Sequence, residues 1–316
     1  MQTPSDADGR VMQGATSGVL DRSGDVMDSG WGGHLLDNAD DRDKGLADLK
    51  LHSAYVSAEP SVYIQYGPTG KARVDLRQFC LPPRDQGRLR ACVGFATTAL
   101  VEFLLKKRGD ATVERLSPFF VWSVARKFEF SSDKNSGVRT RNGMRILHDV
   151  GCALERTDPY EPVAFVPRPD AQDLHKVVAL LDEGAARQPT LEAVATAAAH
   201  RIDGYYALKT LAEIKECLEH GFGVIVSFPV YASAAQLAIR DGVVPQWRPG
   251  EKSIESHTMF AVGYRDDDDG YLICKGSQGV NGGKDGGYFD LPYTYFEQTD
   301  PGWNAWTAVA LVRPDE

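Results

Sequence analysis

Two side chains of the sequence, Cys92 and His257, have the types that nucleophilic acyl chemistry uses. A thiolate can attack a carbonyl carbon, and an imidazole can pair with the thiolate and then protonate the leaving amine. Cys92 opens an apolar helical run, after a loop that contains Arg88 and Arg90. The partial positive charge of a helix N-terminus and the two arginines favour thiolate over thiol at this position.

Taken singly, each of the two residues has a simpler interpretation. A cysteine on an apolar helix is more often a buried structural thiol. A histidine before a strand-like run, here His257 before residues 258–264, is more often a strand-edge side chain with one hydrogen bond. The case for chemistry therefore depends on what surrounds the pair.

The elements that must position these residues change character along the chain. Helical periodicity comes first and strand-like runs come second, which predicts an α+β class. Ser117-Pro118 is a typical helix start, and Gly109, Gly151 and Gly221 are stop signals. Helices are predicted at 92–108, 118–128, 142–150 and 211–220, with two short ones in 173–199, and strands at 61–66, 224–228, 259–264, 271–274 and 307–312.

The bulk composition excludes several classes of function. The chain has 316 residues, 42% of them hydrophobic, and a net charge of −9, which disfavours nucleic acid as a partner. No membrane span and no signal peptide are expected. The five cysteines form no CxxC pair, so neither a metal nor a cofactor is expected. Together these features predict a cytoplasmic protein, or one secreted by a signal-peptide-independent route.

Six segments, in order, carry a resemblance to a known family. The segments are Val74-Asp75-Leu76-Arg77, Asp85-Gln86-Gly87 six residues before Cys92, Ser136-Gly137 to Asn142-Gly143, Asp158-Pro159-Tyr160, Ser256-His257 to Gly263-Tyr264, and Gly287-Tyr288-Phe289. The sequence resembles the papain-like, C1-type cysteine peptidases, in particular bacterial members with a short N-terminal extension. Each segment is weak alone, but their common order over about 240 residues is specific.

The resemblance implies a role for each matched residue. Cys92 is the implied nucleophile and His257 its base, while Gln86 and the Cys92 backbone N–H are the implied oxyanion donors. Asn142 and Gly143 are expected to bind substrate, as are Arg90 and Ser256, and the substrate is expected to be a peptide or a small acyl compound. Arg90 has a second interpretation as a solvated surface charge.

The resemblance also implies the architecture. We expect a two-lobed fold, with a helical left lobe, an antiparallel β right lobe and the cleft between them. The expected divisions are an acidic extension at 1–70, which is propeptide-like or cleft-covering, and a catalytic domain at 71–316. Within that domain the helical lobe covers about 85–165, a helical insertion about 171–200 and the β lobe about 205–316. The insertion accounts for the 165 residues from Cys92 to His257, against roughly 130–150 in the family.

Two positions depart from the family pattern beside the histidine. The family's Asn-Ser-Trp-Gly is here Gly276-Ser277-Gln278-Gly279, so that the Asn that orients the imidazole and the Trp that shields it are both replaced. Ser277, Gln278 and Asn281 are candidate substitutes for the third triad member, and the sequence does not choose among them. Since that member fixes the tautomer and orientation of the imidazole, its replacement predicts slower chemistry.

Three functions are compatible with this pattern. The first is a cysteine peptidase or amide hydrolase, the second a papain-fold acyl transferase or amide-forming enzyme, and the third a catalytically impaired binding protein. The segment Trp31–Leu36 is an apolar cluster in an acidic leader, and it predicts an extension that folds back over the cleft. A disordered acidic tail is the alternative for this leader.

Overall fold

The structure is a computed structural model of the full chain. It describes residues 34–35, 37, 40, 43–49, 69–160, 165, 174–231, 241–246, 250–267, 269–297 and 302–312. In chain order the helices are α1 (46–49), α2 (Cys92–Arg108), α3 (Pro118–Phe128), α4 (Thr140–Asp149), α5 (Leu174–Ala186), α6 (Leu191–Thr196) and α7 (Leu211–Glu219). The strands are β1 (His34–Leu35), β2 (Arg73–Asp75), β3 (Val138–Arg139), β4 (Tyr206–Leu208), β5 (Val224–Tyr231), β6 (Ser253–Arg265), β7 (Tyr271–Lys275), β8 (Tyr288–Pro292) and β9 (Asn304–Thr307).

Helix α2 is the central element of the helical lobe. Every residue from Cys92 to Leu105 is buried, so the helix has no solvent face over its first 14 positions. Two glycines permit close packing around it, because a Cβ on Gly94 would lie 2.3 Å from the Pro118 carbonyl oxygen and one on Gly143 would lie 2.7 Å from Val93 Cγ1. The N-termini of α3 and α4 therefore lie directly against the first turns of α2.

The predicted helix boundaries have local causes that the structure confirms. Ser117 Oγ accepts from the Phe120 backbone N–H at 3.0 Å, with Pro118 at the first helical position. Gly109 ends α2 in the left-handed region, with φ of 96°. Thr210 and Glu213 form a reciprocal capping box at the start of α7.

The β lobe is a seven-stranded antiparallel sheet. Its strand order is β4-β9-β5-β6-β7-β8, and β2 pairs with the far end of β6. The long strand β6 pairs with β5 along its first part, which places His257 opposite Phe228 and Thr258 opposite Ser227. Helix α2 packs against β6, so the start of the helix meets this part of the strand.

Several sequence predictions differ from the structure in extent. Strand β6 begins at Ser253 rather than near Met259, and α4 begins at Thr140 rather than Asn142. The predicted strand 307–312 is wrong for most of its length, because β9 ends at Thr307. Two short helices and a 3-10 turn lie in the predicted insertion, as α5, α6 and Ala197–His200. The predicted strand 61–66 and residues 171–173 of the insertion lie outside the described residues.

The described parts of the N-terminal extension pack against the domain. Strand β1 pairs in parallel with β3 and lies beside β6. The carboxylate of Asp37 accepts from the Arg141 backbone N–H and from the Trp306 indole N–H, the latter at 2.9 Å. Leu49 is 3% exposed within the core of the β lobe. The division of the chain at residue 70 therefore stays a prediction about domains, while described residues of the extension, Asp37 and Leu49 among them, make tertiary contacts.

Candidate active site

Cys92 lies at the first position of α2 and is fully buried. Its thiol faces Thr258, whose backbone N–H and hydroxyl both approach it, and the Val93 backbone N–H is a third neighbour. Burial raises the pKa of the Cys92 thiol to about 12, while the hydrogen bonds from Thr258 act in the opposite direction. The predicted position at a helix start is present, but burial is the largest influence on this pKa and favours the neutral thiol.

His257 is carried by β6 and is also fully buried. Its ring meets the Phe228 ring edge to face, with centroids 6.2 Å apart, and its Nε2 lies 3.3 Å from Gln278 Nε2. The next residue along the strand, Thr258, contacts Cys92. The structure thus brings the histidine and the cysteine, which are 165 residues apart in sequence, to one site at the junction of the lobes.

Gln86 lies in the loop before Cys92 and is 2% exposed. Its Oε1 accepts from Ser277 Oγ at 2.5 Å, and its Nε2 donates to the Leu89 carbonyl at 3.0 Å. Its backbone is held as well, since the Gln86 N–H donates to the Ser277 carbonyl at 2.8 Å and its carbonyl accepts from Tyr160 Oη. The side-chain amide therefore has one fixed orientation, and Ser277 is bound to Gln86 at both its backbone and its side chain.

Gly276 and Gln278 together fill the space beside the imidazole. A Cβ on Gly276 would lie 2.7 Å from Gln278 Oε1 and 2.4 Å from Phe289 Cε2. Gln278 reaches this space by folding back, so that its Oε1 accepts from the Ser277 backbone N–H at 3.0 Å. A carboxamide therefore stands next to His257 although residue 276 has no side chain.

An ion pair crosses between the lobes on another side of the site. Arg90, two residues before Cys92, donates from Nη2 to Oε1 of Glu255, two residues before His257. The Arg90 side chain is 39% exposed and the Glu255 side chain 14%. The Arg90 backbone N–H donates to Asn135 Oδ1 at 2.8 Å, which holds this loop in place. Arg90 is therefore a paired charge, and its role with substrate stays a prediction.

The other residues predicted to bind substrate have described neighbours. Asn142 Nδ2 donates to Glu129 Oε1 at 2.8 Å, and Gly143 packs on α2 beside Val93. Ser256 lies half-buried on β6, opposite Pro229. Their assignment to substrate binding stays a prediction.

Sequence reasoning did not single out Thr258, Ser227 or Glu255. Thr258 and Ser227 face each other across two strands, and a strand register of this kind has no local sequence signal. Glu255 lies in a stretch that the sequence did not predict to be a strand. In the part of the chain that the structure describes, no group of three or more His, Cys, Asp or Glu side chains could hold a metal, and no helix could cross a bilayer.

The fold and the site define a class of protein. A helix that begins with a cysteine packs against an antiparallel sheet that carries a histidine, and the two elements meet where the lobes join. This is the two-lobed α+β architecture of the papain-like cysteine peptidases, as the sequence predicted.

The comparisons with known proteins agree with this class. The chain is similar to an uncharacterised peptidase C1-like protein of Acanthamoeba polyphaga mimivirus, with 26% identity over 246 residues, which cover 76% of this chain and 75% of that protein. It is also similar to xylellain, a cysteine protease from Xylella fastidiosa, with a TM-score of 0.70 and 26% identity over 90% of this chain and 97% of that one. A procathepsin L 3 of Tenebrio molitor larval midgut, at 21% identity, a TM-score of 0.53 and coverage of 78% and 73%, shares the fold. No protein-family model matches the chain.

These findings confirm the resemblance to the C1-type, papain-like family. The chain has the papain-like fold and is a peptidase-like enzyme. One of the similar proteins is viral and another is bacterial, so the comparisons leave the predicted bacterial type undecided. The roles of individual residues are taken up below.

Proposed function

We propose that the protein is a cysteine peptidase that works through a Cys92 thiolate, with His257 as its base and Gln86 as an oxyanion donor. The observation that carries this proposal is the carboxamide of Gln278. It occupies the space over Gly276 and lies 3.3 Å from His257 Nε2, so a substitute for the missing triad Asn is within hydrogen-bond range of the imidazole. Of the substitutes that the sequence left open, the geometry therefore favours Gln278.

Ser277 has a different part in this proposal. Its hydroxyl donates to Gln86 Oε1 and so sets the orientation of the Gln86 amide. With Oε1 held in this way, the amide nitrogen is the part of Gln86 that can donate to a developing oxyanion, together with the Cys92 backbone N–H. Ser277 is thus a positioning residue for the oxyanion donor and not a third triad member.

The orientation of the Gln278 amide determines which nitrogen of the imidazole carries the proton. Because Gln278 Oε1 accepts from the Ser277 N–H, its Nε2 is the group that faces His257 and donates to it. A histidine that accepts at Nε2 is neutral and carries its proton on Nδ1. The arrangement therefore suits a neutral imidazole beside a neutral thiol, in agreement with the raised pKa of Cys92.

Formation of the ion pair requires the opposite orientation of this amide. The imidazole first exchanges its Nδ1 proton for one at Nε2 through water, a change that leaves it neutral. With the carboxamide of Gln278 turned over, Oε1 then accepts from His257 Nε2–H, and the bare Nδ1 takes the proton of Cys92. The thiolate attacks the carbonyl carbon, and the imidazolium protonates the leaving amine. Water then releases the acyl group from Cys92 with His257 as base, which returns the thiol and the neutral imidazole.

Turnover of fluorogenic peptides by Cys92→Ala tests the proposal. We expect loss of turnover in Cys92→Ala and unchanged turnover in Cys217→Ala, since Cys217 is a buried thiol of α7 in the β-lobe core. Equal activity of Cys92→Ala and the parent protein would overturn the proposal. With a candidate acyl donor and an amine, mass spectrometry separates hydrolysis from transfer, because a peptidase yields free acids and an acyl transferase yields amides.

We also propose that the N-terminal extension restricts access to the site. Strand β1 lies on β3 and beside β6, the strand that carries His257, and Asp37 ties the segment to α4 and to Trp306. Of the predicted cleft-covering segment, Trp31–Gly33 and Leu36 lie outside the described residues. A truncation that starts at Asp40 keeps the packed residues 43–49, and we expect it to label faster at Cys92 with an alkylating probe. An unchanged labelling rate would overturn this proposal.

A further inference from the structure

Three buried hydroxyl groups form a continuous chain that ends at Cys92. Thr140 Oγ1 lies 2.8 Å from Ser227 Oγ, and Ser227 Oγ lies 3.0 Å from Thr258 Oγ1. The Thr258 hydroxyl in turn approaches the Cys92 thiol. Thr140 and Ser227 are fully buried and Thr258 is 1% exposed, so bulk water does not compete for these bonds.

The chain can have two polarities, because a hydroxyl has one proton and can both donate and accept. In one polarity Thr140 donates to Ser227, Ser227 to Thr258 and Thr258 to the sulfur, which suits a thiolate. In the reverse polarity the Cys92 S–H donates to Thr258, and each hydroxyl donates to the next one, which suits a thiol. Rotation of the three hydroxyl protons converts one into the other without moving a heavy atom.

We propose that the chain of Thr140, Ser227 and Thr258 stabilises the Cys92 thiolate, with Thr258 as the hydroxyl that touches the reacting sulfur. This inference rests on the proposed cysteine chemistry and adds a residue to it. The proton that leaves Cys92 goes to His257 Nδ1, and the hydroxyls only turn, so no proton passes along the chain. Each bond polarises the next, which makes the Thr258 hydroxyl a better donor than an isolated one.

Other groups that face the thiol set the background for this effect. Burial and the charge of Glu255 both favour the neutral thiol. Glu255 is itself paired with Arg90 from the loop before α2, and the buried phenol of Tyr160 is a further titratable neighbour. His257 precedes Thr258 on β6. Burial and Glu255 raise the pKa of Cys92, whereas the hydrogen bonds from the Thr258 hydroxyl and backbone N–H lower it.

The far end of the chain lies where the extension is held. Thr140 stands between Arg139, which is in the pairing with β1, and Arg141, whose backbone N–H donates to Asp37. The hydroxyl chain therefore crosses from the helical lobe to the β lobe and connects the place where the N-terminal extension packs to Cys92.

The test measures Cys92 alkylation by iodoacetamide between pH 5 and pH 10 in the full chain. A Cys80→Ser background removes the one described cysteine that is not buried. Since alkylation follows the thiolate fraction, Thr258→Val should move the pH profile upward by about one unit, or slow labelling about tenfold at each pH below the plateau. Ser227→Ala should slow labelling about two- to threefold, because Thr258 then loses the donor that polarises it.

Thr258→Ser provides the control, since it keeps the hydroxyl and removes only a methyl group. Recovery of the parent profile in Thr258→Ser supports the role of the hydroxyl. Parent-like labelling of Thr258→Val would overturn the inference, as would a Thr258→Ser variant as slow as Thr258→Val, which would point to packing of the methyl group. Alkylation requires no turnover, so this result is independent of the Cys92→Ala test of the proposed function.

Discussion

Gln278→Glu is the substitution that tests the proposed triad most directly. A carboxylate has the shape of the carboxamide but carries two acceptor oxygens. One oxygen can keep the bond from the Ser277 N–H, now at 3.0 Å, while the other faces His257 Nε2 at the position of the present nitrogen, 3.3 Å away. The carboxylate then accepts a hydrogen bond from His257 Nε2–H without turning over, and its negative charge favours the protonated imidazole.

The size of this effect follows from the separation. Two unit charges 3.3 Å apart attract by about 5 kcal/mol at an effective dielectric constant of about 20. Desolvation of a buried carboxylate offsets much of this attraction. The net contribution of a hydrogen bond to a charged group, about 1.5–3 kcal/mol, is the better guide. It corresponds to a roughly 10- to 100-fold larger population of the thiolate–imidazolium pair at neutral pH.

The assay compares iodoacetamide labelling of Cys92 and peptide turnover in the parent, Gln278→Glu and Gln278→Ala. We expect faster labelling for Gln278→Glu and slower turnover for Gln278→Ala, which leaves the imidazole without this neighbour. Gln188→Glu is the matched control, because it adds the same charge at an exposed glutamine outside the site. The reasoning is refuted if folded Gln278→Glu labels no faster than both the parent and the Gln188→Glu control.

Three further predictions concern the surroundings of the site. Glu255→Gln removes a charge that raises the pKa of Cys92, so labelling of Cys92 should become a few-fold faster, and slower labelling would contradict this reading. Burial raises the pKa of Asp37 from 3.8 to about 6. Asp37 therefore contributes stability to the docked extension that is fully present below pH 3.8 and is lost as the pH rises through 6. Hydrogen exchange of His34 and Leu35, the residues of β1, should accordingly show stronger protection at pH 5 than at pH 7.5 after correction for intrinsic rates, and Asp37→Asn should remove that difference. Gly143→Ala places a Cβ 2.7 Å from Val93 Cγ1, so urea denaturation should show a loss of about 1–3 kcal/mol, and an unchanged midpoint would show that α2 and α4 adjust freely.

The sequence predicted those helices whose start and end depend on neighbouring residues. The helix that begins at Cys92 follows from apolar periodicity and from Gly109 as a left-handed end, and α3 follows from Ser117-Pro118. Tertiary contacts without such a cause were missed. The parallel pairing of β1 with β3 joins residues more than a hundred positions apart, and the early start of β6 at Ser253 depends on β5 as its partner.

The same distinction explains what was predicted of the site. Cys92 and His257 were proposed from residue types and the family resemblance, and Gln86 from the resemblance alone. All three are buried in the structure, and their catalytic roles stay predictions. The sequence showed a glycine where the family has its orienting Asn. It could not show that Gln278 folds back over Gly276, since this depends on the Phe289 ring and the Ser277 N–H, which meet only in the folded protein.

The resting electrostatics of the site and the position of the extension are physically connected. Burial raises the pKa of the Cys92 thiol, and the carboxamide nitrogen of Gln278 lies 3.3 Å from His257 Nε2. Three consecutive residues connect the extension to the hydroxyl chain. Arg139 of β3 pairs with β1, Thr140 begins the hydroxyl chain, and the Arg141 backbone N–H donates to Asp37. A change in the docking of the extension therefore acts on the same backbone that positions Thr140. Because Thr140 is the first donor in the thiolate polarity, the environment of the sulfur depends on how this segment is held.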